Sequence, residues 1–171
     1  MKNTKKLALT AILCAAALAL LFISAFLESI TVSLSAAAGL FIAVIFIECG
    51  LKHAVLAYIT VSALALLVVP EKTAVFMFLM FFGYYPMYKS WCEARRRAAA
   101  EYVLKLLCFN LSLCLCWVLA GVFGFQPSLP DIPFVTVLAF VLANAVFLLY
   151  DFAFSRLISF YQKYSKRWKH K

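Results

Sequence analysis

Charge is scarce in this chain. Only 13% of its 171 residues are charged, about half the share found in an average soluble domain. Histidine is nearly absent: His53 and His170 are the only two. No H-E-x-x-H zinc motif and no G-x-S-x-G nucleophile elbow occurs. No phosphate-binding glycine loop appears, which excludes ATP hydrolysis by the usual route. No acidic residue falls in the middle of an apolar run, so the carboxylate relays of proton-coupled carriers are missing. Five glycines and five prolines leave no material for a low-complexity linker. The expectation is therefore no catalytic residue, no cofactor and no metal site.

What fills the chain is hydrocarbon. Hydrophobic residues make up 67% and the mean hydropathy is +1.00, against about 45–50% apolar residues in ordinary domains. The excess lies in long runs, which defines a polytopic membrane protein. Six spans are expected, at about 7–27, 30–47, 54–69, 73–85, 102–123 and 134–154, with a basic tail over 155–171. They form a single integral membrane domain over 1–171, an all-α compact bundle of six transmembrane helices. The fourth span is short, with Gly83 and Pro86 at its end, and is expected to be tilted or kinked. The start imitates an export signal, with Lys2, Lys5 and Lys6 before an apolar run. That run is longer than the ~7–15 residues of a signal core and lacks a small-x-small cleavage site, so it reads as a retained helix.

Six cysteines fall in spans or near cytoplasmic ends, none in an expected external loop, so no disulfide framework is expected. Cys114 and Cys116 point about 200° apart on a helix and do not readily share a metal.

Positive charge fixes the orientation. With the N- and C-termini cytoplasmic, fifteen of the sixteen Lys and Arg lie on the cytoplasmic side and only Lys72 lies outside, as the positive-inside rule requires. The net charge of +9 sits beside apolar spans, which suits anionic lipid headgroups and not nucleic acid. Four-residue spacing pairs Glu93 with Arg97, Arg97 with Glu101 and Glu101 with Lys105 on a helix leading into the fifth span.

Orientation also sorts the polar residues. Glu28, Ser33, Gln126, Asp131, Thr136 and Asn144 face outward and are the candidate substrate-binding residues. Tyr84 and Tyr85 lie toward the cytoplasm, where tyrosine ordinarily joins an aromatic belt. Asn110 and Asn144 sit inside spans, where an unpaired amide is costly, so each is expected to face protein.

The first span carries Ala11, Ala15 and Ala19 at four-residue spacing, with Ala8 one turn earlier. Residues so spaced share one helix face and let a second helix approach closely. Ser35, Gly39 and Ala43 make a second such strip, the expected partner of the first.

With its length, six spans, both termini inside and a lysine-rich start leading into an alanine ladder, the chain resembles the substrate-binding S component of energy-coupling factor (ECF) transporters. The resemblance covers nearly the whole chain. In that family an Ala-xxx-Ala motif on the first helix docks on a transmembrane coupling subunit, and Ala11, Ala15 and Ala19 match it. It implies capture of a vitamin or other small molecule from outside, with transport driven by the coupling subunit and two ATPases, all separate chains. A bacterial plasma membrane is the implied location. Nickel and cobalt are disfavoured because the N-terminal histidine pattern is missing. A second family of similar size and style is the rod-shape-determining membrane protein MreD. It implies an assembly scaffold whose outer pocket is filled.

Overall fold

The computed structural model describes residues 3–94, 98–122 and 133–169. All the regular structure among them is helical. α1 spans Asn3–Ile23, α2 Thr31–Cys49 and α3 Leu51–Val68; α4 is Lys72–Met77, α5 Tyr85–Glu93, α6 Ala98–Val122 and α7 Pro133–Lys169. Five helical stretches are long and apolar enough to cross a membrane: Asn3–Phe26, Thr31–Cys49, Leu51–Val68, Ala100–Leu119 and Val137–Lys163. The chain is thus an all-α, multi-pass membrane protein. It divides into two compact units, Met1–Gln126 and Pro127–Lys171.

In the first unit α2 is the centre, packed against α1, α3, α4, α5 and the segment between α4 and α5. Its buried positions include Ser35, Ala38, Gly39, Ile42, Ala43, Ile45 and Cys49. On α3 the buried residues are Ala54, Ala57, Val61, Ser62 and Ala65, while Leu56, Leu64 and Leu67 are exposed. Small residues thus face protein and large ones face outward. In lipid this arrangement is favourable, because leucine gains little by leaving hydrocarbon whereas close backbone approach gains dispersion.

The connections are tight. Two 3₁₀ turns, Ser24–Phe26 and Glu28–Ile30, join α1 to α2. Gly50 alone joins α2 to α3, at φ +92° and ψ 174°, a region that essentially only glycine occupies. The turn between α3 and α4 is capped from both sides. The Lys72 ammonium donates to the carbonyls of Leu66 (2.8 Å) and Val69 (2.6 Å) at the end of α3. The Glu71 carboxylate accepts the Ala74 N–H at 3.1 Å and caps α4. These bonds satisfy helix-terminal groups that would otherwise lack partners.

The expected fourth span, 73–85, is the element the structure redraws. α4 gives way to a π-turn at Phe78–Phe82, and after Gly83 and Tyr84 the chain continues as α5. The backbone stays right-handed helical through the junction, with Gly83 at φ −71°, ψ −41° and Tyr84 at φ −97°, ψ −15°. Pro86 begins α5 rather than ending a helix, since proline fits the first turn, where its missing N–H costs nothing. The fourth segment is therefore one bent path over 72–93.

Ser35 donates to the Ala74 carbonyl at 3.1 Å. A Cβ on Gly39 would lie 2.5 Å from the Phe82 carbonyl oxygen. This corrects the expected pairing of small-residue strips. Ser35 and Gly39 of the α2 strip serve the fourth segment, and Ala11, Ala15 and Ala19 of α1 are exposed and do not cover it.

α6 begins at Ala98 and runs on as expected into the fifth span. α7 has 37 residues, about 55 Å at 1.5 Å per residue, so the expected basic tail continues the sixth helix as far as Lys169. Within it Asn144 Nδ2 donates to the Phe140 carbonyl at 2.9 Å, and the Arg156 guanidinium lies 5.3 Å from the Phe152 ring centre.

The orientation has a direct check. Topology reporters fused at Lys72 and at Arg96 should fall on opposite sides of the membrane, and a shared side would reject the charge-based assignment.

Candidate functional site

Of the six outward-facing candidates, Gln126 and Asp131 lie outside the described residues. Glu28 opens the second 3₁₀ turn and Ser33 is exposed in the first turn of α2. Thr136 and Asn144 belong to α7 in the other unit. Asn144 donates within its own helix, to the Phe140 carbonyl. Asn110 does the same, from Nδ2 to the Leu106 carbonyl at 2.8 Å. For an amide in hydrocarbon, a carbonyl four residues earlier is the nearest available acceptor.

The three docking candidates are placed more clearly. Ala11, Ala15 and Ala19, and Ala8 with them, are exposed, while Ala17, Leu21 and Ser24 are buried. Residues 17 and 19 are two apart, about 200° around the helix, so the strip lies opposite the face α1 uses to pack on α2 and α3. Elsewhere in this unit the small residues of α2 and α3 are largely spent on internal contacts. On α1 the strip of Ala8, Ala11, Ala15 and Ala19 is left outward.

A polar group that sequence reasoning missed joins the fourth segment to its neighbours. In a regular α-helix the Leu79 carbonyl would accept from Gly83. Here the Gly83 N–H bonds instead to the Phe78 carbonyl at 2.7 Å, which releases Leu79. The Tyr58 hydroxyl on α3 donates to that released carbonyl at 2.7 Å. Tyr58 comes this close because position 83 is glycine: a Cβ there would meet its ring at 2.6 Å. On α6 the Ser112 hydroxyl donates to the Cys108 carbonyl at 2.8 Å, and Tyr84 and Ser112 hydroxyls lie 2.7 Å apart. Further along, the Tyr88 hydroxyl donates to the Leu104 carbonyl at 3.1 Å. Tyr85 is fully buried. Tyr84 and Tyr85 thus serve packing and interhelical bonding, which corrects their expected place in an aromatic belt. The available signal was Gly83, the one small residue in a run of aromatics.

Beside this group, four charges join α5 to α6. Lys89 and Lys105 are both buried. Their ammonium groups each lie 3.3 Å from the same oxygen of Glu93, and Lys105 also pairs with Glu101. The Glu101–Lys105 pair is the one expected from the spacing. Glu93 was expected to pair with Arg97, which lies outside the described residues; among the described residues it reaches the two lysines.

Fold and polar groups together define the class: an α-helical multi-pass membrane protein whose first helix presents an uncovered small-residue strip. Comparison with family models, with curated proteins and with solved structures finds no match to this chain.

Proposed function

We propose that this chain is the membrane-embedded capture subunit of an ECF-type uptake system for a vitamin or similar small molecule, resident in a bacterial plasma membrane. The observation that carries the reading is the exposed strip of Ala8, Ala11, Ala15 and Ala19 on α1. A helix face of alanines is poor in dispersion against disordered lipid chains but good against another helix. Such a face suits docking on a separate coupling subunit, which would bring the ATPases that this sequence lacks. Substrate would enter from outside, near Glu28, Ser33, Gln126, Asp131, Thr136 and Asn144. The basic segments would rest on anionic headgroups.

A second reading, an MreD-like scaffold, has its own support. The interior of the first unit is filled by apolar side chains, with Leu21, Ile42, Ile45, Val61, Val75 and Phe78 fully buried. A scaffold uses the same outward strip but needs no ligand cavity.

Native mass spectrometry of the purified protein, alone and with co-expressed membrane partners, separates the two. The capture reading expects a bound small molecule and a co-purified coupling subunit. Replacing Ala11, Ala15 and Ala19 with leucine should abolish that association without preventing membrane insertion, and association that survives would remove the strip from the interface. A partner retained with no small molecule under any growth condition favours the scaffold.

A further inference from the structure

α2 packs against both halves of the fourth segment, but the side-chain hydrogen bonds that reach it differ on its two sides. Before the π-turn, α4 is held by α2, through the Ser35 hydroxyl on the Ala74 carbonyl at 3.1 Å. Beyond it, α6 adds Tyr84 on Ser112 and Tyr88 on the Leu104 carbonyl. Between them lies a turn containing one residue more than an α-helix needs. The Gly83 N–H uses the Phe78 carbonyl, and the Leu79 carbonyl, its partner in a regular α-helix, accepts from the Tyr58 hydroxyl.

We propose that the π-turn at Phe78–Phe82 is a two-position joint, latched by the hydroxyl of Tyr58, that lets α5 turn on α6. When Tyr58 leaves the Leu79 carbonyl, the Gly83 N–H moves from Phe78 to Leu79 and the extra residue leaves the turn. Helix geometry then rotates everything beyond by about 100° and shifts it by about 1.5 Å. That rotation carries Tyr84 off Ser112 and Tyr88 off Leu104. The backbone exchanges one hydrogen bond for another, and the side-chain bonds decide which register holds. Two glycines let neighbours close on the turn: Gly39 admits the Phe82 carbonyl against α2, and Gly83 seats the Tyr58 ring. Single π-turns of this kind recur at functional sites in helices. The joint does not depend on the uptake reading, because any partner that bears on α5 could bias it.

The test is amide hydrogen exchange, read by mass spectrometry on the full-length protein in lipid nanodiscs. Tyr58→Phe keeps the ring over Gly83 and removes the latch. Exchange at residues 84–90 should rise at least about fivefold, the population change that loss of one such hydrogen bond brings, while residues 74–77 keep their wild-type protection. Deleting Met80 turns the Gly83-to-Phe78 bond into an ordinary α-helical one and leaves both halves where they are. In that background Tyr58→Phe should have no effect. Unchanged exchange in Tyr58→Phe overturns the joint. So does a rise spread equally over 74–77 and 84–90, which would make the bond merely structural. An equal rise in the shortened background overturns it too. Should the shortened protein fail to fold, the contrast between 74–77 and 84–90 in Tyr58→Phe alone decides.

Discussion

Gly39→Leu should lower the stability of the protein by about 1–3 kcal/mol, the usual cost of forcing extra carbons into a filled interior. The contact it strikes is backbone: a Cβ at position 39 would lie 2.5 Å from the Phe82 carbonyl oxygen and 3.1 Å from its carbon. A side chain could swing aside, but a carbonyl in a hydrogen-bonded turn moves only with the whole segment. Gly39→Ala gives a graded comparison. Alanine is the better helix former by about 1 kcal/mol, which offsets part of the clash, so its loss should be the smaller. Thermal unfolding in detergent, followed by loss of the monodisperse chromatographic peak, ranks the two against wild type. A Gly39→Leu protein as stable as wild type would mean that α2 and the fourth segment are not in close contact.

Glu93→Gln should cost about 2 kcal/mol. Removing one partner from a buried ion pair ordinarily costs about 3–5 kcal/mol, because the remaining charge keeps its desolvation penalty without the compensating attraction. Here the figure is reduced, since the Glu93 side chain is 46% exposed and water screens part of its charge. What keeps the effect large is that one carboxylate oxygen faces two buried ammonium groups. Neutralising it sets Lys89 and Lys105 against one another. Adding Lys105→Met to Glu93→Gln should recover part of the loss, since apolar replacement of both members of a buried pair is often close to neutral. Purely additive losses in a double-mutant cycle would show that the two residues act independently.

Both sites lie on the part of the chain that was hardest to read from sequence. The five long apolar runs are unambiguous because a span of hydrocarbon demands about 20 apolar residues and little else supplies them. The expected orientation rests on a similarly simple rule, as lysine and arginine flanking a span are kept on its cytoplasmic side. The fourth segment breaks this logic. Its apolar run from Thr73 is short, and length alone does not reveal that Pro86 starts a helix or that an extra residue is folded into a π-turn. That turn exists because Tyr58, on another helix, supplies the missing donor, and such a relation leaves no periodicity in the sequence. The alanine strip of α1 shows a different limit. Its four-residue spacing announced a smooth face, but Ser35, Gly39 and Ala43 announced one equally well. Only packing distinguishes them, by burying the second and leaving the first exposed.

Gly50 has a consequence for how the protein enters the bilayer. With a single residue between them, α2 and α3 turn back on one another with almost no connecting chain. The pair is a helical hairpin with the glycine as its apex, a compact unit suited to entering the bilayer together. A residue there that refuses positive φ would delay the hairpin before any contact of the finished fold had formed. At Gly50 the defect would appear first as a failure of insertion yield, with the stability of the molecules that do insert less affected.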